Sequence, residues 1–522
     1  MRMWGMALAF ACVAACAPPA HEPRRAPAAR PPGAALERDA IIAGRRLRYH
    51  LQLAEQPNLV YQLDCVTGVA LCAQAIYAEL WDTFGLDAGD RAALATWKSL
   101  RVRYGGELRR VDRTRPPQPL LAPAGVHDLA ERQRIAGLRA RTPATYEASM
   151  ALVSSDADAR RLRGVIERFA PRFAAWWRRR GFASGAAFFD GFRRLLADRF
   201  LDSTVDKAAR FYESDLPAGT VFRVHVLVQP RSARKLTVAY QLEGDAVVEA
   251  REDGRPEGLI DVVAHELFHY LFFRADPRRQ AALLEAVCAS SDPYAVVAFG
   301  MLDEAVAAAL GNGVVGGHYM APEAFARSRA RGFIQYQAAG AVAREILPAL
   351  PGFLDGGAAI SSPEFVRAFT AAARATFPGG RPRPLDYLHA QVSVAEPRFA
   401  GAARRLNEAA WASFPNLREF AGLDAGAASF MTAHPFISAT LFLPRDAHLA
   451  TVLAPLAPGA RRLAAIAALA RRARGFVYAL PRTDKSYAFV VVADDEPTMV
   501  ELVDRFVSLS ENVPGALVEL PR

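Results

Sequence analysis

Residues 260–273 read Ile260-Asp261-Val262-Val263-Ala264-His265-Glu266-Leu267-Phe268-His269-Tyr270-Leu271-Phe272-Phe273. All but four of these positions are apolar, and a helix so apolar on every side belongs in a core. His265, Glu266 and His269 therefore stand where unpaired polar groups are costly to bury. Helical spacing puts positions four apart on one face, so both imidazoles can reach one ion. Zinc suits such a pair, because it accepts imidazole nitrogen and tolerates an open coordination position. Glu266, next to the first histidine, can lie over that open position and take a proton from a water there.

A third protein ligand is needed. The position ten residues beyond His265 is Ala275 rather than histidine, Asp276 is one residue off, and Phe272 replaces the glycine that such a turn requires. Downstream, Ser291-Asp292-Pro293 is a helix start, with a capping side chain and then Pro in the first turn. Gly311 is expected to end that helix. Between them Glu304 is a carboxylate on an otherwise small and apolar stretch, Ala305-Val306-Ala307-Ala308-Ala309-Leu310, which would let this helix pack closely on the motif helix. Glu285 is the competing ligand, among bulkier neighbours. Asp303 reads as a surface or outer carboxylate.

At this point the chain resembles the gluzincin metallopeptidases, in the broad thermolysin-like sense, over residues 220–320. The resemblance implies that His265, His269 and Glu304 bind one zinc ion per chain and that Glu266 is the general base. It implies a donor for the developing oxyanion, a Tyr or His beyond the third ligand. Gly311-Asn312-Gly313-Val314-Val315-Gly316-Gly317 reads as a loop leading to His318 and Tyr319, so either is a candidate, with Tyr336 a third. A surface loop without catalytic part is the alternative. Thr237 to Leu242 resembles the edge strand that pairs with an extended substrate in this family.

Working outward, Val221 to Val228 alternates as a strand, followed by Thr237–Leu242 and Ala246–Ala250 around a hairpin turn at Glu243-Gly244-Asp245. The expected fold class is α+β, with a zincin-like catalytic core, a small mixed sheet plus two active-site helices, over 214–345. It is flanked by helical regions at 36–213 and 346–425, and 426–522 alternates as a small α/β module. Trp176-Trp177 before Arg178-Arg179-Arg180 reads as a partly buried helix end or a membrane-interface segment.

Of the 522 residues 52% are hydrophobic, ample for a packed core and incompatible with a disordered or collagen-like chain. The net charge of +10 comes from arginines spread along the whole sequence, without a basic stripe interleaved with aromatics, so nucleic acid is not an expected partner. An anionic membrane surface fits the charge better. Residues 1–15 have the size and composition of a signal peptide. Val13-Ala14-Ala15-Cys16 resembles the lipobox of bacterial lipoproteins, which implies lipidation at Cys16 and export to the cell envelope. Residues 16–35, rich in Pro and Ala, read as a tether. Cys65 and Cys72 form a disulfide only if they do not share one continuous helix, since two turns would separate them by roughly 10 Å. The function expected is a lipid-anchored zinc peptidase acting on peptides or proteins. A non-catalytic envelope binding or scaffold lipoprotein and a cell-wall peptide hydrolase are the alternatives, and the sequence leaves the oligomeric state open.

Overall fold

The computed structural model describes residues 10–12, 36–70, 72, 74–106 and 129–522, apart from 234–236, 243, 335–336, 378–381, 412–415, 421–424, 434–437, 446–447, 457–458, 484–485 and 511–513. Cys16, the expected tether and Tyr336 lie outside the described residues, as does the expected signal peptide except for Phe10–Cys12. The fold is mixed α+β, with two six-stranded sheets.

The first sheet contains β1 (Phe10–Cys12), β2 (Arg38–Ala43), β3 (Arg48–Leu53), β4 (Val221–Gln229), β5 (Thr237–Leu242) and β6 (Asp245–Arg251), in the order β1-β5-β6-β4-β3-β2. Strands β3, β4 and β6 are parallel neighbours. The hairpin β5–β6 is antiparallel, and β1 adds antiparallel to the outer edge of β5. Six consecutive residues of β4, Val224–Gln229, are buried, as expected of a central strand covered on both faces. The region before residue 213 was expected to be helical, yet it supplies β2 and β3. Their six-residue spans mix Arg, Asp, His and Gln with apolar residues, too short a run for a period of two to stand out.

Helices α1 (Glu55–Val66), α2 (Asp156–Trp176), α3 (Phe182–Leu196) and α4 (Arg199–Phe211) belong to the same core as this sheet. Helix α1 stops at Val66, and Gly68, at φ +69°, reverses the chain, so Cys72 is off the helix and bonds to Cys65 across a Cα–Cα distance of 5.9 Å. Trp176 and Trp177 are buried in the core, while Arg178, Arg179 and Arg180 are exposed.

After the sheet come α5 (Ile260–Phe273), α6 (Pro277–Ala289) and α7 (Tyr294–Ala308). Gly311 does not end the last of these. A π-helical stretch, Ala309–Val315, continues from α7 and runs into Gly316–Tyr319, so the expected glycine loop is helical throughout. The whole run Tyr294–Tyr319 is long and apolar enough to cross a bilayer, but 83% of its most apolar window is buried inside the protein, as befits a core helix.

The second sheet contains β7 (Ala390–Ala395), β8 (Asn416–Phe420), β9 (Ala439–Pro444), β10 (Ala473–Pro481), β11 (Tyr487–Ala493) and β12 (Gly515–Pro521), in the order β12-β10-β11-β9-β7-β8. Helices α8 (Ala400–Trp411) and α10 (Glu496–Val507) pack on one face, and α9 (Ala460–Arg472) on the other. The stretch 346–425, expected to be helical, divides between the two cores. Its helices up to Thr376 pack on the first, whereas β7, α8 and β8 belong to the second sheet.

Close approach between α5 and the π stretch sets the centre of the first core. A Cβ at Gly311 would lie 2.5 Å from the His265 backbone nitrogen, inside any allowed contact. Gly311→Ala should therefore cost about 1–3 kcal/mol through overpacking, read by urea or thermal unfolding. Gly352→Ala, where no atom lies within 4 Å of the new methyl, should leave stability unchanged or slightly raised.

Candidate metal centre

The motif helix α5 is buried from Ile260 to Phe272. Its own spacing stacks His265 and His269 on one face, with ring centroids 4.6 Å apart. Helix α7 lies alongside and presents Glu304 between them. Glu304 Oε1 is 3.5 Å from His265 Nε2, and Oε2 is 3.4 Å from His269 Nε2. The two Nε2 atoms are 2.9 Å apart. Two ligands of a zinc-sized ion, each about 2.0–2.1 Å from it, can be no more than roughly 4 Å apart, and these three pairs satisfy that.

The outer nitrogens fix the tautomers. Asn312 donates from Nδ2 to Asp261 Oδ2 at 3.0 Å, which turns its Oδ1 toward His265 Nδ1, also at 3.0 Å. Asp303 Oδ1 accepts from His269 Nδ1 at 2.8 Å. In the metal-free protein the raised His269 carries a proton on Nε2 and donates it to His265 Nε2. Once that proton leaves, with Nδ1 still protonated in both rings, both Nε2 atoms would offer lone pairs to the same point. Neither oxygen of Glu304 makes a hydrogen bond. Two imidazole nitrogens and a carboxylate, all buried and converging, form a donor set that a cation could satisfy in place of the proton now shared between the rings. His265, His269 and Glu304 could hold a metal ion.

Glu266 projects from the same turn with no side chain hydrogen-bonded to either oxygen. Burial, with the charges of Glu304 and Asp303, pushes its carboxyl up to about 8, against the opposing pull of His269 and the Gln241 main chain on β5. Burial and the neighbouring His269 hold His265 well below the usual imidazole range. Burial acts the same way on His269, but Asp303 and Glu304 outweigh it and raise that imidazole. A divalent ion among them would reverse the directions at His269 and Glu266.

The other sequence candidates are placed elsewhere. Glu285 is exposed on α6. His318 and Tyr319, expected as oxyanion donors, are not brought to the trio. Helical continuation carries them roughly 20 Å beyond Glu304 along the axis, to the Asp261 end of α5, where His318 stacks on Phe200 at 3.7 Å and Tyr319 meets the same ring edge-on. The glycines were read as a loop that could fold back, and a continuous helix cannot. Asp303, read as an outer carboxylate, orients His269. Asn312 and Asp261 escaped the sequence reading. Asp261, four residues before His265 and the first polar residue of an apolar helix, was the signal available for one of them.

Two outcomes are expected. Asn312→Ala and Asp303→Ala should each weaken metal binding about 10–100-fold, measured by chelator competition. In metal-free protein, Glu266 stabilises the fold while protonated, so stability is lost as pH rises from the ordinary 4.5 through about 8. Metal-free Glu266→Gln should lack that decline and exceed the parent in stability at the alkaline end of a pH series of unfolding curves.

Comparison of the chain with protein-family models, with curated proteins and with solved structures yields no match.

Proposed function

We propose that the chain is a zinc-dependent peptidase of the bacterial cell envelope, exported and held to the membrane by a lipid on Cys16. The observation that carries the reading is a buried convergence of two imidazole nitrogens and the Glu304 carboxylate beside a second buried carboxylate, Glu266, to which no side chain donates a hydrogen bond. A site meant only to hold a cation has no use for the second one. The surroundings support a zincin-like core. An antiparallel strand, β5, lies toward the edge of the sheet next to the motif helix, and the third ligand comes from the neighbouring helix α7. With residues 1–15 removed on lipidation at Cys16, the outer side of β5 that pairs with β1 would be a sheet edge open to an extended substrate.

His265, His269 and Glu304 would hold the zinc. When bound, it supplies Lewis-acid chemistry, polarising a carbonyl and lowering the pKa of water. Glu266 takes the proton of the attacking water on a carboxylate oxygen and passes it to the amine of the departing peptide. Its burial excludes bulk water from that transfer. Asp303 and Asn312 hold the two imidazoles in register throughout.

A second reading has its own observation. The trio and Glu266 are at most 4% exposed, and closed metal sites are commonly structural, whereas catalytic ones keep an open position. The approach favouring catalysis is past Asp303, whose side chain is 21% exposed beside the site.

Purified chain should carry about one zinc by elemental analysis, and His265→Ala and Glu304→Ala should carry little. Glu266→Gln should retain the metal and lose about 10²–10⁴ in peptide hydrolysis. Full zinc occupancy with no hydrolysis of any peptide or of peptidoglycan, and a large loss of stability on chelation, would assign the site to structure. A folded parent that takes up no zinc would leave a binding or scaffold protein.

A further inference from the structure

From Ala447 to Thr483 the chain runs 37 residues without an Asp or Glu and contains six arginines. Four of them stand on α9, the helix reading Ala460-Arg461-Arg462-Leu463-Ala464-Ala465-Ile466-Ala467-Ala468-Leu469-Ala470-Arg471-Arg472. Ile466 and Leu469 bury the inner face against the second sheet. At 100° per residue, Arg461 and Arg472 point the same way from opposite ends, about 16 Å apart along the axis. Arg471 lies about 80° to one side of Arg461, Ala464 and Ala465 lie exposed on that face, and Arg462 lies about 100° to the other side, at the exposed end of the line of Ile466 and Leu469.

Several arginines elsewhere in the molecule are matched by acids. Asp90 holds both Arg168 and Arg172, and Asp206 holds Arg46 and Arg210. On α9 the only described carboxylate is Glu519, which takes Arg472 at 2.8 Å. The nearby Arg474 and Arg445 are taken by Glu501 and Asp494 and add no net charge. Among the described residues, Arg461, Arg462 and Arg471 pair with none.

We propose that the solvent face of α9 is a docking surface for an anionic phospholipid bilayer. Guanidinium groups match phosphate oxygens bidentately, and the alanines keep the face low between Arg461, Arg471 and Arg472, with Arg462 exposed at its border. The helix cannot insert, because its apolar side is already used inside the module. The contact is therefore electrostatic and peripheral. It also has a task. A lipid at Cys16 followed by the 19 residues up to position 35 would allow the folded part anywhere within roughly 60 Å of the membrane, and such an anchor alone sets no orientation. A second, charged contact does. Only the choice of membrane as the available anion source rests on the envelope reading above.

The test is co-sedimentation of the full chain with vesicles of phosphatidylcholine alone and of phosphatidylcholine mixed with phosphatidylglycerol, at low and high salt. The parent should prefer the mixed vesicles, and salt should remove the preference. The triple variant Arg461→Gln, Arg462→Gln, Arg471→Gln should lose about 100-fold in that preference, at roughly fivefold per arginine. Arg193→Gln with Arg194→Gln, exposed on α3, should lose little. Equal binding of the parent to both vesicles overturns the proposal. So does a folded triple variant that keeps the preference, or a parent that binds a single-stranded oligonucleotide and ignores the mixed vesicles. Zinc content does not enter the measurement, so failure of the peptidase reading would leave this result interpretable.

Discussion

Four ionisable side chains, His265, Glu266, His269 and Glu304, are buried together among alkyl and aromatic groups, and the centre of the molecule is built around that burden. Each alone would be expensive to remove from water. Together they are arranged so that one cation would turn the expense into binding energy, since the donors already face a common point. The polar groups behind them, Asp303, Asn312 and Asp261, are spent on fixing proton positions. A metal bound there would couple its affinity to fold stability through the same residues.

The π stretch after α7 is what makes the outer support of His265 possible. In an uninterrupted α-helix, a residue eight beyond Glu304 would be rotated about 80° away from it. A turn closing on i+5 takes more residues per revolution and swings Asn312 back toward the face that carries Glu304. The same turn brings Gly311 onto the His265 backbone, where no side chain fits. The widened turn and the glycine are one device: the first aims the amide, and the second lets the helices close far enough for it to reach.

This device also marks where sequence reasoning stops. The motif helix was legible because its polar residues interrupt an apolar run at helical spacing. Glu304 was legible because it is a lone carboxylate among alanines. Gly311 has two meanings, helix end and close packing, and only the partner helix decides between them. Reading it as an end turned a helix into a loop and carried His318 and Tyr319 toward a site they do not reach. Strands β2 and β3 were missed: they pair locally with each other, but the strand that ties them into the sheet, β4, lies some 170 residues away in sequence, and non-local pairing leaves little local pattern. Cys65 and Cys72 depended on where α1 ends, which Gly68 decides.

The β5–β6 hairpin separates two buried carboxylates, and their contrast bears on which one does chemistry. Glu249 on β6 accepts from Tyr61 at 2.9 Å, Tyr77 at 2.6 Å, Gln229 at 3.2 Å and the Val238 main chain at 3.0 Å. Burial lifts its carboxyl to about 7, and these donors restrain the rise. They spend its oxygens on pinning α1 and β5 to β6, so it is a brace. Glu266 is just as deeply buried, yet has no hydrogen-bonding side chain aimed at it. A chain that needed only a negative charge beside His265 and His269 could have satisfied Glu266 as it satisfies Glu249. On the proposed peptidase reading, the lack of side-chain donors would leave Glu266 free to accept and release a proton, a use for which the fully bonded Glu249 is unsuited.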